Sequence, residues 1–157
     1  MSRVVGSELT AALFERLAGA HIEQHEGKII PLVTVDEAGW PNPALLSYYE
    51  IVAKSAAALE MALWKNSSTA NHLRRSGKVT LMVIDRGVNY YLKGTVRELE
   101  REMVGAAQVS RFGVALDQVI EDQEANAEIT TALTYRRLTA RDPTDFAAKV
   151  FRLLLGQ

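Results

Sequence analysis

The stretch Leu59-Glu60-Met61-Ala62-Leu63-Trp64-Lys65-Asn66-Ser67-Ser68-Thr69-Ala70-Asn71-His72-Leu73 decides how this chain is read. Leu59, Met61 and Leu63 alternate with Ala58, Glu60 and Ala62, the period of two expected of a half-buried strand. The run then breaks into hydroxyl side chains and resumes as a helix over Ser68–Ser76, which Gly77 ends. At such a junction Ser67, Ser68 and Thr69 stand beside the unpaired N–H groups of a helix start, and Lys65 brings a positive charge to the approach. The arrangement suits an anion, and a phosphate most naturally. The same three hydroxyls also read as an ordinary helix cap that binds nothing. Asn71 lies one turn after Ser67 and would either orient a ligand or bond to the turn, whereas Arg74 and Arg75 lie too far along the helix to be first choices.

Working outward, Ile29–Asp36 and Ala44–Val52 read as two strands on either side of Glu37-Ala38-Gly39-Trp40-Pro41, and Ala57–Trp64 is the third. Val79–Ile84 and Val88–Val96 flank Asp85-Arg86-Gly87 as the fourth and fifth. In the fifth, Val88, Tyr90, Leu92, Gly94 and Val96 share one face, and the mid-strand Gly94 predicts a bend, a bulge or the close approach of another chain. Leu9, Leu13, Leu17 and Ala20 set an amphipathic first helix, capped by Ser7 or Thr10 and running to about His25. Towards the carboxyl end, Glu98–Phe112 and Leu116–Ala127 read as helices and Thr130–Thr139 as a sixth strand. Asp142-Pro143 then opens a helix to about Leu155 with Phe146, Val150, Leu153 and Leu154 as its apolar stripe. Short links between six strands predict an α+β, mainly β fold: an antiparallel, closed or nearly closed β-barrel with flanking helices.

The 157 residues, 48% of them hydrophobic, suffice for one core, so residues 1–157 are expected to form a single domain. Eighteen basic and nineteen acidic side chains nearly cancel, which argues against nucleic acid or an anionic membrane as partner. Cysteine is absent, so thiolate catalysis, iron–sulfur clusters and Cys-ligated zinc are excluded. No apolar leader and no run near the ~20 residues of a membrane helix is present, and a soluble, cytoplasmic protein is expected. No G-x-S-x-G, P-loop or H-E-x-x-H signature occurs. His21 and His25 are expected to be a solvent-exposed pair near a helix end rather than metal ligands, and no metal site is assigned. His72 faces a ligand or solvent. Of the adjacent pairs Tyr48–Tyr49 and Tyr90–Tyr91, one ring each is expected to fill the barrel and the other to cover a subunit contact. Arg136, Arg137 and Arg141 form a small basic run that either approaches a ligand or is solvated.

The order Val33-Thr34-Val35-Asp36, Gly39-Trp40-Pro41-Asn42-Pro43, the Leu59–Trp64 strand, Ser67-Ser68-Thr69-Ala70-Asn71-His72-Leu73, Lys78-Val79-Thr80-Leu81-Met82-Val83 and Tyr90-Tyr91-Leu92-Lys93-Gly94-Thr95-Val96 resembles the pyridoxamine 5′-phosphate oxidase-like family of FMN-binding split β-barrels. The likeness covers about residues 10–112. It implies a six-stranded antiparallel split β-barrel and FMN as cofactor, its phosphate at Ser67, Ser68 and Thr69, where family members often carry Ser-Arg-Lys or a Lys-Thr-type sequence. Carried over by position, Leu46, Ser47 and Tyr48 on the second strand and Leu63, Trp64 and Lys65 on the third wall the flavin, with Asn71 close by. The resemblance further implies a homodimer with the flavin site at the subunit interface, in keeping with the apolar character of both faces of Val79–Ile84. The activity implied is flavin-mediated hydride or electron transfer on an unidentified small substrate, with no catalytic side chain assigned. Tyr135–Arg141 lacks the histidine of the family's vitamin B6 substrate segment, so B6 oxidation is not expected. The alternatives are the same fold using F420 or haem, or a dimeric module without cofactor.

Overall fold

The computed structural model describes residues 1–140, 142 and 144–157. Pro143, expected at the start of the last helix, and Arg141 of the basic run lie outside the described residues. The order of elements is β1 (Ser2–Gly6), α1 (Ala11–Leu17), β2 (Ile29–Val35), β3 (Pro41–Ser47), β4 (Ile51–Ser55), β5 (Ala58–Trp64), α2 (Ser68–Ser76), β6 (Lys78–Asp85), β7 (Val88–Glu100), β8 (Val109–Asp122) and α3 (Phe146–Leu155). Single 3₁₀ turns lie at Ile22–His25 and Tyr48–Glu50.

The eight strands form one antiparallel sheet in the order β3-β2-β6-β7-β8-β5-β4, with β1 paired to β8. It has eight strands, not the six expected from the sequence, and of the closed or nearly closed barrel expected it is not the closed form: the edge strands β3 and β4 are joined by the Tyr48–Glu50 turn, not by a ladder. The sheet nevertheless curls around one core, because Leu32, Leu46, Ile51, Met61, Leu81, Leu92, Phe112 and Val119, from seven strands, belong to the same buried cluster. Leu9, Leu13 and Leu17 carry α1 onto this core, and Ala70 and Leu73 do the same for α2. Outside the barrel, Val150, Phe151 and Leu154 of α3 bury a second cluster with Tyr49, Val52, Ala62 and Val109. Strand β5 is therefore covered on both faces: Leu59, Met61 and Leu63 point to the barrel, Ala62 to α3.

Three expectations fail at the carboxyl half. Glu98–Phe112 is not a helix but the end of β7, a turn and the start of β8; Leu116–Ala127 is not a helix but mostly β8. A bulge explains the second error. Lys93 pairs with Gln118 and Gly94 with Leu116, so Asp117 is the extra residue. The inward positions run Phe112, Val114, Leu116 and then Val119, and this step of three imitates a helical period. Gly94 is required opposite the bulge, since a Cβ there would lie 2.5 Å from Val114 Cγ1 and 2.8 Å from the Ala115 carbonyl oxygen. Of the three possibilities read at Gly94 the bulge holds, and the segment that comes close is β8 of the same chain. Thr130–Thr139 is not a strand; it is irregular and touches the sheet through one bridge, Lys28 to Thr134. The first helix is shorter than expected, ending at Leu17.

Candidate functional site

The β5–α2 junction is built by local hydrogen bonds. Trp64 closes a tight turn by accepting at 3.0 Å from the Ser67 amide, and Ser67 is the N-cap of α2, its Oγ accepting from Ala70 N at 3.1 Å. With that cap spent on Ala70, the Ser68 and Thr69 amides have no partner among the described residues, and Ser68 is exposed. Gly77, in the left-handed region at φ 62°, ends the helix.

Two cations stand at this junction and both meet carboxylates. Lys65 Nζ donates to Glu102 Oε1 at 2.6 Å. Arg74, passed over in the sequence, turns back towards the helix start: Nη1 donates to the Lys65 carbonyl at 2.8 Å and to Asn71 Oδ1 at 2.9 Å. Its Nε and Nη2 hold Glu98, Nη2 also reaches Ser110 Oγ at 3.0 Å, and the guanidinium lies 5.5 Å over the Phe112 ring. All five guanidinium N–H donors are thereby used. The hydrogen bond from Arg74 holds the Glu98 carboxyl below its usual range, and Lys65 does the same for Glu102.

The structure brings Trp64, Lys65, Ser67, Ser68, Thr69 and Asn71 together at this junction. Leu46, Tyr48 and Leu63 instead contribute to the barrel core at 3, 3 and 6% exposure. Ser47 caps the turn after β3, its N–H and Oγ donating to Glu50 Oε2 at 2.6 and 2.9 Å. Glu50 went unassigned in the sequence, although Ser47-x-x-Glu50 has the capping-box spacing that signals it. His72 Nδ1 lies 3.0 Å from Thr34 Oγ1, on the side facing β2. Trp64 is 56% exposed, with its ring stacked on Phe146 of α3 at 5.5 Å.

A second polar cluster is largely buried. Asp85 Oδ2 accepts from Arg16 at 2.9 Å and from Lys28 at 2.6 Å, and Arg16 also reaches the Tyr48 hydroxyl at 3.4 Å. His25 stacks on Tyr48 at 4.5 Å and is buried, which corrects the expected exposed pair; only His21 is open to solvent. Burial, then the neighbouring Arg16 and Lys28, lower the His25 pKa to about 4. Despite its burial Asp85 is held at about 2 by Lys28 and Arg16. Of the tyrosine pairs, Tyr48 and Tyr90 pack on the barrel core, while Tyr49 lies under α3 against Phe151 and the Tyr91 hydroxyl donates to Asp122. In the basic run, Arg137 pairs with Asp145.

The donors at the junction are two free amides, the Ser68 hydroxyl and a lysine whose present partner is an exposed glutamate. They fit a phosphate monoester, whose oxygens take N–H and O–H donors and displace a surface carboxylate from Lys65.

Comparison with known proteins agrees with this geometry at the level of the fold. No protein-family model matches the chain. The uncharacterized protein YclD of Bacillus subtilis is 32% identical over 121 residues, which are 77% of this chain and 79% of YclD. The chain belongs to the YclD family. Among solved structures, a candidate pyridoxamine 5′-phosphate oxidase from Lactobacillus delbrueckii superposes with a TM-score of 0.58 at 13% identity, covering 76% of this chain and 98% of that one. An F420 reductase gives 0.52 at 14% identity, covering 68 and 94%. An FMN-binding protein from Syntrophomonas wolfei gives 0.51 at 15%, covering 69 and 84%. This YclD-family chain thus has the fold of the pyridoxamine 5′-phosphate oxidase-like split-barrel proteins. No helix among its described residues is long and apolar enough to cross a membrane.

Proposed function

We propose that the protein is an FMN-binding flavoprotein that passes hydride or electrons to a small substrate, with the FMN phosphate at the start of α2. The observation that carries this reading is the pair of unpartnered Ser68 and Thr69 amides beside Lys65, at the end of a split-barrel strand. A bound isoalloxazine ring would supply the redox chemistry, and the chain's own task would be to hold and orient it. Ser68 and the two amides would take phosphate oxygens, Lys65 would leave Glu102 for the phosphate, and Arg74 would keep the junction rigid through Lys65 and Asn71. Trp64, half-exposed beside Lys65, would border the ring.

The same reading makes the protein a homodimer. It is supported by an apolar row on the outer sheet face, where Leu45, Pro31, Met82, Tyr91 and Ile120 align across five neighbouring strands by their register. Leu45 is 59% exposed and the others are half-buried. Met82→Asp should then shift the mass seen by light scattering from two chains to one.

The decisive experiment is titration of the purified protein with FMN, riboflavin and F420, read by absorbance and fluorescence. Tight uptake of FMN is expected, and the triple change Ser67→Ala, Ser68→Ala, Thr69→Ala should weaken FMN more than riboflavin. Equal losses would remove the phosphate from this junction. Uptake of F420 without FMN would change the cofactor, and binding of neither would leave a module without one.

A further inference from the structure

A cavity adjoins the junction, between the Tyr48–Glu50 turn, β5, β8 and α3. It measures about 200 Å³ and is lined by Glu50, Ala62, Trp64, Val109, Phe146 and Val150 among others. Five of these six are apolar or aromatic; the exception is a carboxyl. A cavity of ~150 Å³ already admits benzene, so this one has room for a ring with a short substituent.

Glu50 is the unusual member. Burial pushes its carboxyl above the usual range, against the two Ser47 hydrogen bonds, both of which fall on Oε2. No lysine, arginine or histidine pairs with it among the described residues. The nearby cations are committed elsewhere: Lys54 Nζ donates to the Leu154 carbonyl at 2.8 Å and Lys65 to Glu102. A partly buried carboxylate without a counter-ion is costly, and Trp64 and Phe146, whose rings can attract cations, line the same cavity as Glu50.

We infer that this pocket binds a small organic cation, an amine on a ring or short apolar body, with the Glu50 carboxylate as its counter-ion and the stacked Trp64 and Phe146 rings as its walls. Glu50 discriminates by charge: it repels a carboxylate of the same shape and gains little from an alcohol. Binding does not depend on flavin. Because Trp64 borders both sites, amines become the substrate class to test on the flavin-loaded protein, a step that does rest on the flavin reading.

The test is calorimetric titration of the full chain, without added flavin, with benzylammonium, benzyl alcohol and benzoate at neutral pH. Wild type should bind benzylammonium at least tenfold more tightly than benzyl alcohol, and benzoate not at all. Glu50→Gln, whose side-chain carbonyl can still accept from Ser47, should erase the preference for the amine, and Ala147→Phe, at a residue of α3 that also lines the cavity, should block both ligands by filling it. Equal affinity for amine and alcohol in wild type, or an unchanged preference in Glu50→Gln, overturns the inference. If Glu50→Gln does not fold, the wild-type comparison and Ala147→Phe decide alone. Amine binding that survives in a protein unable to take up FMN separates this inference from the flavin reading.

Discussion

The two ionic clusters at strand ends use the same residue types and differ in what they leave open. Around Asp85, two cations, a tyrosine hydroxyl and a stacked histidine enclose one carboxylate, fastening α1 and the segment before β2 to the end of β6. At the β5–α2 junction the cations are equally engaged, yet the Ser68 and Thr69 amides have no partner among the described residues and Ser68 is exposed. A carboxylate already held by two cations serves structure, whereas exposed donors beside a displaceable surface ion pair can take a ligand.

The sharpest way to break this contrast is Asp85→Ala. It leaves the largely buried Arg16, and Lys28 beside it, without their carboxylate, and should cost about 3 kcal/mol of stability in urea unfolding. A loss below ~1 kcal/mol, the range of solvated surface pairs, would mean that the cluster is not closed.

Acid should act on the same cluster next. His25 is held neutral down to about pH 4, against an ordinary value of 6.5, so the unfolded chain takes up a proton first. Its contribution is present above 6.5 and lost as the pH falls towards 4. Asp85, depressed from 3.8 to about 2, contributes above 3.8, and that part is lost only as the pH falls towards 2. Thermal midpoints should therefore decline between pH 6.5 and 4, and His25→Phe, which keeps a ring against Tyr48, should flatten that decline. An identical slope in the variant would exclude His25 as its source.

Smaller effects are expected at the open junction. Ser67→Ala removes the α2 cap and should cost about 1 kcal/mol. Ser68→Ala touches no hydrogen bond of the fold and should alter stability by less than ~0.5 kcal/mol. It should nevertheless weaken FMN severalfold while leaving riboflavin unchanged. Glu102→Gln should leave the melting temperature where it is and tighten FMN by freeing Lys65; weaker FMN binding would show that Glu102 positions the lysine rather than competing for it.

Strands β2, β5, β6 and β7 were legible because every second residue along most of each is apolar and turned to the core, with Leu59, Met61 and Leu63 the plainest case. Strand β8 was not, because the Asp117 bulge shifts its phase. Thr130–Thr139 has strand-forming residues but gains almost no ladder, which shows how far β preference depends on a neighbour. At the candidate site, the Ser67-Ser68-Thr69 cap could be read because capping is local. Glu98, Glu102 and Phe146 could not, since they reach Arg74, Lys65 and Trp64 only through folding. Glu50 lies between these cases: its bonds to Ser47 are local, but its pocket is made by β5, β8 and α3.

By itself the sequence determined the strand–turn–helix of Leu59–Leu73, because alternation, a hydroxyl cap and a terminating glycine act within one or two turns of chain. Only the tertiary structure decided which charges meet there, that Arg74 folds back to brace the junction, and that Leu46, Tyr48 and Leu63 belong to the core. Those outcomes depend on contacts between residues far apart in the chain, whose partners are set by strand pairing and burial rather than by neighbours in the sequence.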